Sequence, residues 1–389
     1  MQPSKAMKRF TGELGEGQSK PMRGYLGNMV YGIATSHSAM LSEIGRALGE
    51  ESELITTEMR LSRNLANRNM DEESIRARYL GAVKPFVQDG VVALDFSDIR
   101  KEYSKKQEWL CGIWDDTRKE KAQGYWLLDI EAIDGEGRHF PLWLEPFSQN
   151  APGYESQAAT VKKAVRIVSE YTGKDCAWVL DRGFDGANYI GILEDAGITY
   201  AIRQTGRRHV ITETGEKKAT ADVVSEMEAP HIGQWHYSQK GREYPFSFRY
   251  GSAIVTFPSD GKQRQLIAVY VKSRTTPLIL LTNSLSTKPA SLLRFIIAYF
   301  KRWGVEEGIR VVKQIFDLEN VRAMSFAGIR RLTLFAYLAY GFLCLFAKRL
   351  GKEGIRSVLK LYKSFGETPH FLYYRLAQAV ALALLRAGP

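Results

Sequence analysis

The sequence predicts an α/β protein with a mixed β-sheet, interrupted by an all-β insertion and flanked by helical regions at both ends. Three observations predict this class. Short apolar runs typical of strands begin at Val91, strand and helix patterns then alternate as far as Arg203, and a segment rich in turn and β-branched residues follows before the next amphipathic helix. The predicted order is therefore βββαβαβ, an insertion, and then a helix.

The first three strands are expected to form an antiparallel meander. Apolar and β-branched residues predict strands over Val91 to Phe96, Tyr125 to Ile133 and His139 to Phe147. The segment from Asp134 to Gly137, with the sequence DGEG, is typical of a hairpin turn. The second and third strands should therefore pair directly.

Helices connect the next two strands. The pattern predicts a helix over Glu155 to Tyr171, a strand over Cys176 to Asp181, a helix over Gly186 to Ala196 and a strand over Ile198 to Arg203. Because strands joined by such crossovers run parallel, the complete order is that of an RNase H-like fold.

Five regions follow from these patterns. They are a helical, helix-turn-helix-like DNA-binding region over residues 1–80, the first part of the RNase H-like core over 88–203, a β insertion subdomain over 204–292, the second part of the core with a Glu-bearing helix over 293–325, and a helical region over 326–389. In the first region two helical patterns lie on either side of Gly49, which indicates a separate small unit. The same pattern is also common in helical bundles.

Composition favours a polyanionic partner. The 389 residues include 54 Lys and Arg against 43 Asp and Glu, a formal net charge of +11. DNA, RNA and an anionic membrane surface all remain possible at this point. The longest apolar run, Leu332 to Ala347, is shorter than the roughly 20 residues that span a bilayer, so we expect a buried core helix and no membrane partner.

Cysteine usage and the first residues indicate a reducing cytoplasm. Cys111, Cys176 and Cys344 are isolated from one another and show no metal-ligand spacing, so neither a disulfide framework nor a zinc site is expected. The first residues lack the apolar segment of a secretory signal peptide.

One helix, predicted over Ile296 to Ile315, gathers chemically distinctive side chains on a single face. At roughly 100° per residue, four of its residues fall within an arc of about 60° and a fifth lies beside them. They are Tyr299, Arg302, Glu306, Lys313 and, beside them, Arg310. Cations and a phenol of this kind suit DNA phosphates, although a surface helix with ordinary ion pairs would show a similar pattern.

Two aspartates are placed to join Glu306 in a metal site. Asp95 follows the apolar residues of the first strand, and Asp181 ends the fourth. If these strands are neighbours in the sheet, both carboxylates emerge side by side, with Glu306 above them. Cleavage of a phosphodiester by two divalent ions requires such converging carboxylates.

Other acidic residues could take these places. Asp98 and Glu307 lie close in sequence to the preferred residues, but Glu307 falls off the helical stripe. Asp185 is better placed to cap the helix that starts at Gly186. An aspartate at a strand end is also often only a turn former.

The spacing of Tyr299, Arg302, Glu306 and Lys313 resembles the signature of a subgroup of DDE transposases of bacterial insertion sequences. The segments LDFSD around Asp95 and DRGFD beginning at Asp181 resemble the family's two aspartate motifs. The resemblance covers roughly residues 88–325. It implies two Mg²⁺ or Mn²⁺ ions at Asp95, Asp181 and Glu306, double-stranded DNA substrates (terminal inverted repeats and target), a synaptic homodimer, and action in the bacterial cytoplasm at the nucleoid.

The resemblance also implies a reaction course. Family members nick each transposon end and use the freed 3′ hydroxyl for strand transfer, and in this subgroup the end can pass through a hairpin. An aromatic residue of the insertion would then hold an extruded base, and Trp235 is the first candidate. Four further aromatic residues lie in the insertion, although such residues often belong to a core: Tyr237, Tyr244, Phe246 and Tyr250.

Three functions stay open. The first is an active cut-and-paste transposase. The second is a domesticated DNA nuclease of the same fold that cleaves without strand transfer. The third is a non-catalytic DNA-binding protein with structural acidic residues, against which the complete set of carboxylates argues.

Overall fold

The computed structural model describes residues 2–115, 118–239, 242–272, 275–363 and 372–388, apart from the side chains of 237–239, 242, 243, 303 and 305–307. It confirms the predicted mixed α/β class. Within these residues the helices are α1 (Pro3–Leu14), α2 (Lys20–Ser36), α3 (Leu41–Leu48), α4 (Leu54–Leu65), α5 (Glu72–Val83), α6 (Gln157–Ser169), α7 (Ala187–Asp195), α8 (Thr220–Ser225), α9 (Pro289–Lys301), α10 (Val305–Arg310), α11 (Phe326–Leu359) and α12 (Leu372–Ala387).

The strands form one mixed sheet. Their bounds are β1 (Val91–Arg100), β2 (Cys111–Asp115), β3 (Glu120–Ile133), β4 (His139–Phe147), β5 (Ala177–Leu180), β6 (Thr199–Arg203), β7 (His209–Ile211), β8 (Lys217–Ala219), β9 (His231–Gln239), β10 (Arg242–Thr256), β11 (Gln263–Val271) and β12 (Leu278–Thr282). The main path of pairing runs β2-β3-β1-β5-β6-β12-β11-β10-β7-β8, while β4 pairs with β3 and β9 pairs with β10.

The core of this sheet has the order expected of an RNase H-like fold. Strand β3 pairs antiparallel with both β4 and β1, and β1 pairs parallel with β5, which pairs parallel with β6. The hairpin predicted between β3 and β4 forms, because the Asp134 carboxylate accepts hydrogen bonds from the backbone N–H groups of Glu136 and Arg138. Strand β2, which sequence patterns did not indicate, adds a second hairpin to the other half of β3.

The insertion extends the core sheet. Strand β12 pairs antiparallel with β6, and β11 and β10 continue outward from it. Without the insertion, β6 would be an edge strand with unpaired backbone groups, and pairing with β12 satisfies them. The β strands predicted between Arg203 and Leu293 therefore continue the core sheet.

The two faces of the sheet carry different helices. Val91 and Ala93 of β1 pack in the same apolar cluster as α9, whereas Val92 and Leu94 belong to the cluster that includes α6. This alternation follows from the two-residue period of a strand. Helices α9 and α10 therefore lie over the face of β1 on which residue 95 is also expected.

The helices at both ends of the chain share a single core, which corrects the prediction of a separate N-terminal unit. The ring centroids of Phe10 and Phe342 lie 5.6 Å apart, and those of Tyr25 and Phe335 lie 5.6 Å apart. Helix α11 is apolar on all sides near its centre, so it must be covered all round. Helices α1, α2 and α12 contribute to that cover.

Helix α11 confirms the prediction of a buried core helix. Every residue from Leu332 to Ala347 is buried. Among the described residues α11 alone is long and apolar enough to cross a membrane, and 94% of its apolar window is buried inside the protein. Its helical geometry is interrupted at Gly351, where φ is +66°.

Candidate active site beside two parallel strands

Asp95 and Asp181 lie side by side, as the sequence predicted for neighbouring strands. The parallel pairing of β1 with β5 ends at Leu94 opposite Leu180. The next residue of each chain segment is an aspartate, so the two carboxylates emerge at the same level of the sheet. Each is partly exposed, with 24% of the Asp95 side chain and 31% of the Asp181 side chain accessible to solvent.

Two residues of the predicted helical stripe contact these carboxylates. The Tyr299 hydroxyl donates a hydrogen bond to Asp181 Oδ1 at 3.0 Å, and Arg302 Nη1 donates to Asp95 Oδ2 at 2.9 Å. Tyr299 and Arg302 are themselves only 3% and 5% exposed. Arg203 Nη1 from β6 lies 3.6 Å from Asp181 Oδ1. The first two residues of the stripe, Tyr299 and Arg302, thus bind the two aspartates.

These contacts shift the pKa values of two groups at the site. Burial raises the pKa of Asp181, but the Arg182 backbone N–H, the Arg302 and Arg203 guanidinium groups and the Tyr299 hydroxyl outweigh it, so the pKa lies below the ordinary value. Burial and the Asp181 charge raise the pKa of Tyr299. At neutral pH Asp181 is therefore an ionised acceptor and Tyr299 a neutral donor.

Every residue of the helix predicted over Ile296 to Ile315 is helical, but the helical type changes along the segment, which corrects the constant rotation assumed for its stripe. Helix α9 ends at Lys301, a 3₁₀ turn covers Arg302–Gly304, α10 follows, and a π-helical turn covers Val311–Ile315. Changes of helical type alter the rotation per residue, so a constant 100° step does not hold beyond Lys301.

Glu306 lies in α10, and its side chain is outside the described residues. The backbone of α10 packs against β1, β3 and β4. Glu306 is thus carried by the segment directly after Arg302, which is bound to Asp95. The alternative Glu307 also has its side chain outside the described residues.

The remaining stripe residues lie farther along. Arg310 ends α10 and is exposed. Lys313 lies on the π-helical turn, with Nζ 2.9 Å from Glu319 Oε1 and 3.4 Å from Asp98 Oδ1. Asp98 is therefore an ion-pair partner of Lys313, and burial raises its pKa.

Asp185 does not cap α7, contrary to the prediction. Its carboxylate accepts hydrogen bonds from Arg208 Nη2 at 2.8 Å and from the Thr205 backbone N–H at 3.0 Å. A guanidinium is a stronger partner for a carboxylate than neutral amides are. Asp185 thus ties the segment after β5 to the insertion.

Sequence reasoning missed two buried acids beside Asp95. Asp129 lies directly across from Asp95 in the β1–β3 register, and Glu131 follows on the same face of β3. They are 2% and 1% exposed. Burial, reinforced by Glu131 and Asp95, raises the pKa of Asp129 well above its ordinary value. The two-residue spacing of the acids in YWLLDIEAI could have indicated them.

Trp235 lies on β9 and packs at the edge of the core. Its ring centroid is 6.1 Å from that of Phe300 on α9, and the Phe246 ring lies 5.3 Å from Phe300. Trp235 is half-buried. The insertion therefore brings aromatic rings against α9, the helix that supplies Tyr299.

The donor set suits a hard divalent cation. Asp95 and Asp181 provide carboxylate oxygens in register, the ligand type that Mg²⁺ and Mn²⁺ prefer. Within the described side chains no group of three Asp, Glu, His or Cys residues could hold a metal ion. A metal site at Asp95 and Asp181 would therefore need a further ligand. Glu306 follows shortly after Arg302 in the chain, and Arg302 binds Asp95.

The family follows from comparison with known proteins. The chain matches the family model described as transposase DDE domain over residues 88–342, well over half of its length. No curated protein matches the chain. The match begins just before β1, ends within α11, and includes the strand ends with Asp95 and Asp181. The chain therefore belongs to the family of transposase DDE domains, whose members are enzymes that act on DNA.

Proposed function

We propose that this protein is a metal-dependent cut-and-paste transposase. It would nick each transposon end by hydrolysis, and the freed 3′ hydroxyl would attack the opposite strand, release the flanking DNA and close a hairpin on the excised end. A second hydrolysis would reopen the hairpin, and the regenerated 3′ hydroxyl would join target DNA. One observation carries the proposal: Asp95 and Asp181 each directly follow the last paired residue of two adjacent parallel strands in register, and residues of the helix that leads to Glu306 bind both. Asp95, Asp181 and Glu306 would hold two Mg²⁺ or Mn²⁺ ions.

The chain's own residues would prepare this site. Two bound ions would activate the attacking oxygen and stabilise the leaving oxygen. The β1–β5 pairing fixes the two aspartates at one level, and Arg302 and Arg203 offset the repulsion between their charges. A scissile phosphate at the carboxylates would also lie beside Tyr299 and Arg302, while Arg310 and Lys313 would bind phosphates farther along.

The N-terminal helices would read the transposon end. Helices α3 and α4 pack against each other with a break at Gly49, where φ is +60°. Ile55 and Met59 on α4 are 58% and 56% exposed, and Arg63, one turn further, is exposed as well. Apolar and guanidinium groups on one helix face suit thymine methyl groups and guanine edges in a major groove.

Two further parts complete the proposal. Trp235 would stack on a base extruded from the hairpin, supported by Phe300 behind it. A homodimer would bring two transposon ends together, as the resemblance to insertion-sequence transposases implies.

The test is cleavage of a duplex that carries the terminal inverted repeat flanking the gene. Asp95→Asn, Asp181→Asn and Glu306→Gln should each lose Mg²⁺-dependent cleavage yet keep binding in a gel-shift assay. Asp195→Asn is a matched control, because Asp195 is exposed at the end of α7. It lies near the start of β6, away from Asp95 and Asp181. Full cleavage by one of the three variants would remove that residue from the site.

The same reaction separates the alternatives. A target plasmid added to the parent protein should acquire joined transposon ends. Nicking without joining would favour the domesticated nuclease. End binding without nicking in either Mg²⁺ or Mn²⁺ would favour the non-catalytic DNA-binding protein.

A further inference from the structure

Two glycines bracket Glu306 at equal distances along the chain. Gly304 ends the 3₁₀ turn, and Gly308 lies within α10. A Cβ atom at Gly304 would overlap with the His139 imidazole, and a Cβ atom at Gly308 would overlap with the Glu131 carboxylate. Only glycine allows the backbone to come this close to both side chains.

The surface beneath these glycines is a buried pair of polar side chains, Glu131 and His139. His139 Nδ1 lies 3.2 Å from Glu131 Oε2. Glu131 follows an irregularity in the register of β3 with β4, and His139 begins β4. The His139 backbone N–H donates to the Tyr373 hydroxyl of α12 at 3.2 Å. The sheet and α12 therefore hold the pair from below.

The segment above the pair is not a regular helix. A 3₁₀ turn precedes α10, and a π-helical turn follows it. These geometries have weaker hydrogen bonds than an α-helix, so they fix the position of the segment less firmly. Between the ion pairs that Arg302 and Lys313 make with β1, the contacts at the two glycines add constraints on its height and rotation above the sheet.

We propose that the buried pair of Glu131 and His139 positions the turn that carries Glu306. The two residues are positioning residues: they act on the reaction through the backbone of residues 304–308 and do not touch the substrate. The inference rests on the proposed role of Glu306 in binding metal. It assigns a purpose to a buried polar pair that the proposed chemistry does not use.

Gly308→Ala tests the contact directly. The new methyl group would displace the turn or the Glu131 carboxylate, so Mn²⁺ should bind roughly 10-fold more weakly in calorimetry with the DNA end present. The Mn²⁺ concentration for half-maximal cleavage should rise by a similar factor, with less change in the maximal rate. DNA affinity in metal-free buffer should stay the same. Gly191→Ala is the matched control, because a Cβ atom at this glycine of α7 meets no neighbour.

Glu131→Ala provides a second measurement, which still tests the positioning role if Gly308→Ala fails to fold. Alone it removes the support of the turn and should also weaken Mn²⁺ binding by roughly 10-fold. Combined with Gly308→Ala it removes the overlap, so the double variant should bind Mn²⁺ more tightly than Gly308→Ala alone.

The outcomes separate this inference from the proposed function. Parental Mn²⁺ affinity in both Gly308→Ala and Glu131→Ala, alongside loss in Glu306→Gln, would overturn the positioning role alone. Parental Mn²⁺ affinity and cleavage in Glu306→Gln would overturn the proposed function itself.

Discussion

At the scale of single residues, the two aspartates were predictable and their surroundings were not. Asp95 and Asp181 each follow a run of apolar residues, and such a run indicates a buried strand. The run before Asp181 ends its strand at Leu180, whereas β1 continues past Asp95 to Arg100. Their partners Tyr299 and Arg302 are more than a hundred residues away. Sequence spacing showed that these residues share a helix face but could not show that they bind carboxylates.

The two buried acids were not predictable for a different reason. Asp129 and Glu131 lie in a segment whose apolar residues dominate its pattern, so the pattern indicates a strand and gives no sign of a functional site. Their position beside Asp95 depends on the β1–β3 register. A single-residue slip in that register would turn both side chains to the opposite face.

The depressed pKa of Asp181 gives a stability prediction. A carboxyl whose pKa is lower when folded stabilises the protein above its unfolded pKa, near 3.8, and this contribution is lost as pH falls further. Asp181→Asn should therefore lower the free energy of unfolding at about pH 7 in metal-free buffer, and its difference from the parent should shrink toward about pH 3. Urea unfolding across this range measures the difference. A deficit independent of pH would show that the ionised form is not specifically stabilised.

At the scale of elements, periodicity indicated which segments form helices and strands, and tertiary contacts decided their details. The strand over His139 to Phe147 forms with the predicted bounds, and the helix over Ile296 to Ile315 forms but changes helical type along its length. Gly304 and Gly308 lie against the side chains of β3 and β4 within this irregular stretch. Local propensity cannot anticipate a contact made by distant strands.

The π-helical turn at the end of this helical segment gives a second prediction. If Lys313 exchanges its carboxylate partners for a DNA phosphate, Lys313→Ala should reduce the slope of log K against log salt concentration by about 0.9 in magnitude. Lys218→Ala is a matched control, because Lys218 lies 2.8 Å from Glu216 and 2.7 Å from Glu226 on the insertion. The measurement is duplex binding over a range of salt without metal. Equal slopes for both variants and the parent would show that Lys313 binds no phosphate and has only a structural role.

Glu306 should behave in the opposite way in the same assay. Glu306→Ala removes an anion, so in metal-free buffer it should hold or tighten DNA binding while cleavage in Mg²⁺ is lost. Weaker DNA binding by this variant would contradict a site in which Glu306 faces the phosphate backbone.

At the scale of the whole molecule, the sequence indicated separate regions where the fold has a shared core. The helical patterns on either side of Gly49 correspond to α3 and α4. What the pattern could not show is that α1 and α2 cover α11, a contact across most of the chain. Removal of the first 80 residues would expose that core, so DNA reading must be tested with surface changes.

Exposed positions on α4 permit that test. Arg63→Ala and Met59→Ala should each reduce the preference for the transposon end over random duplex, by about 1–3 kcal/mol where a base contact is lost. Arg9→Ala is the control, since the Arg9 side chain is 71% exposed and pairs only locally with Glu13 among its described contacts. Competition binding measures the ratio of the affinities for the transposon end and for random duplex. An unchanged preference in both α4 variants would place sequence reading elsewhere, for instance in the insertion.

The central claim is that Asp95 and Asp181 bind the catalytic metal ions directly. The most direct measurement is cleavage of an end-containing duplex by Asp95→Cys and Asp181→Cys in Mg²⁺ and in Mn²⁺. A thiolate is a poor ligand for the hard Mg²⁺ ion, and Mn²⁺ accepts sulfur more readily. We predict that each variant is inactive in Mg²⁺ and recovers cleavage in Mn²⁺, while the parent cleaves in both. Cleavage at the parental rate in Mg²⁺ by either variant would contradict direct metal binding by that aspartate.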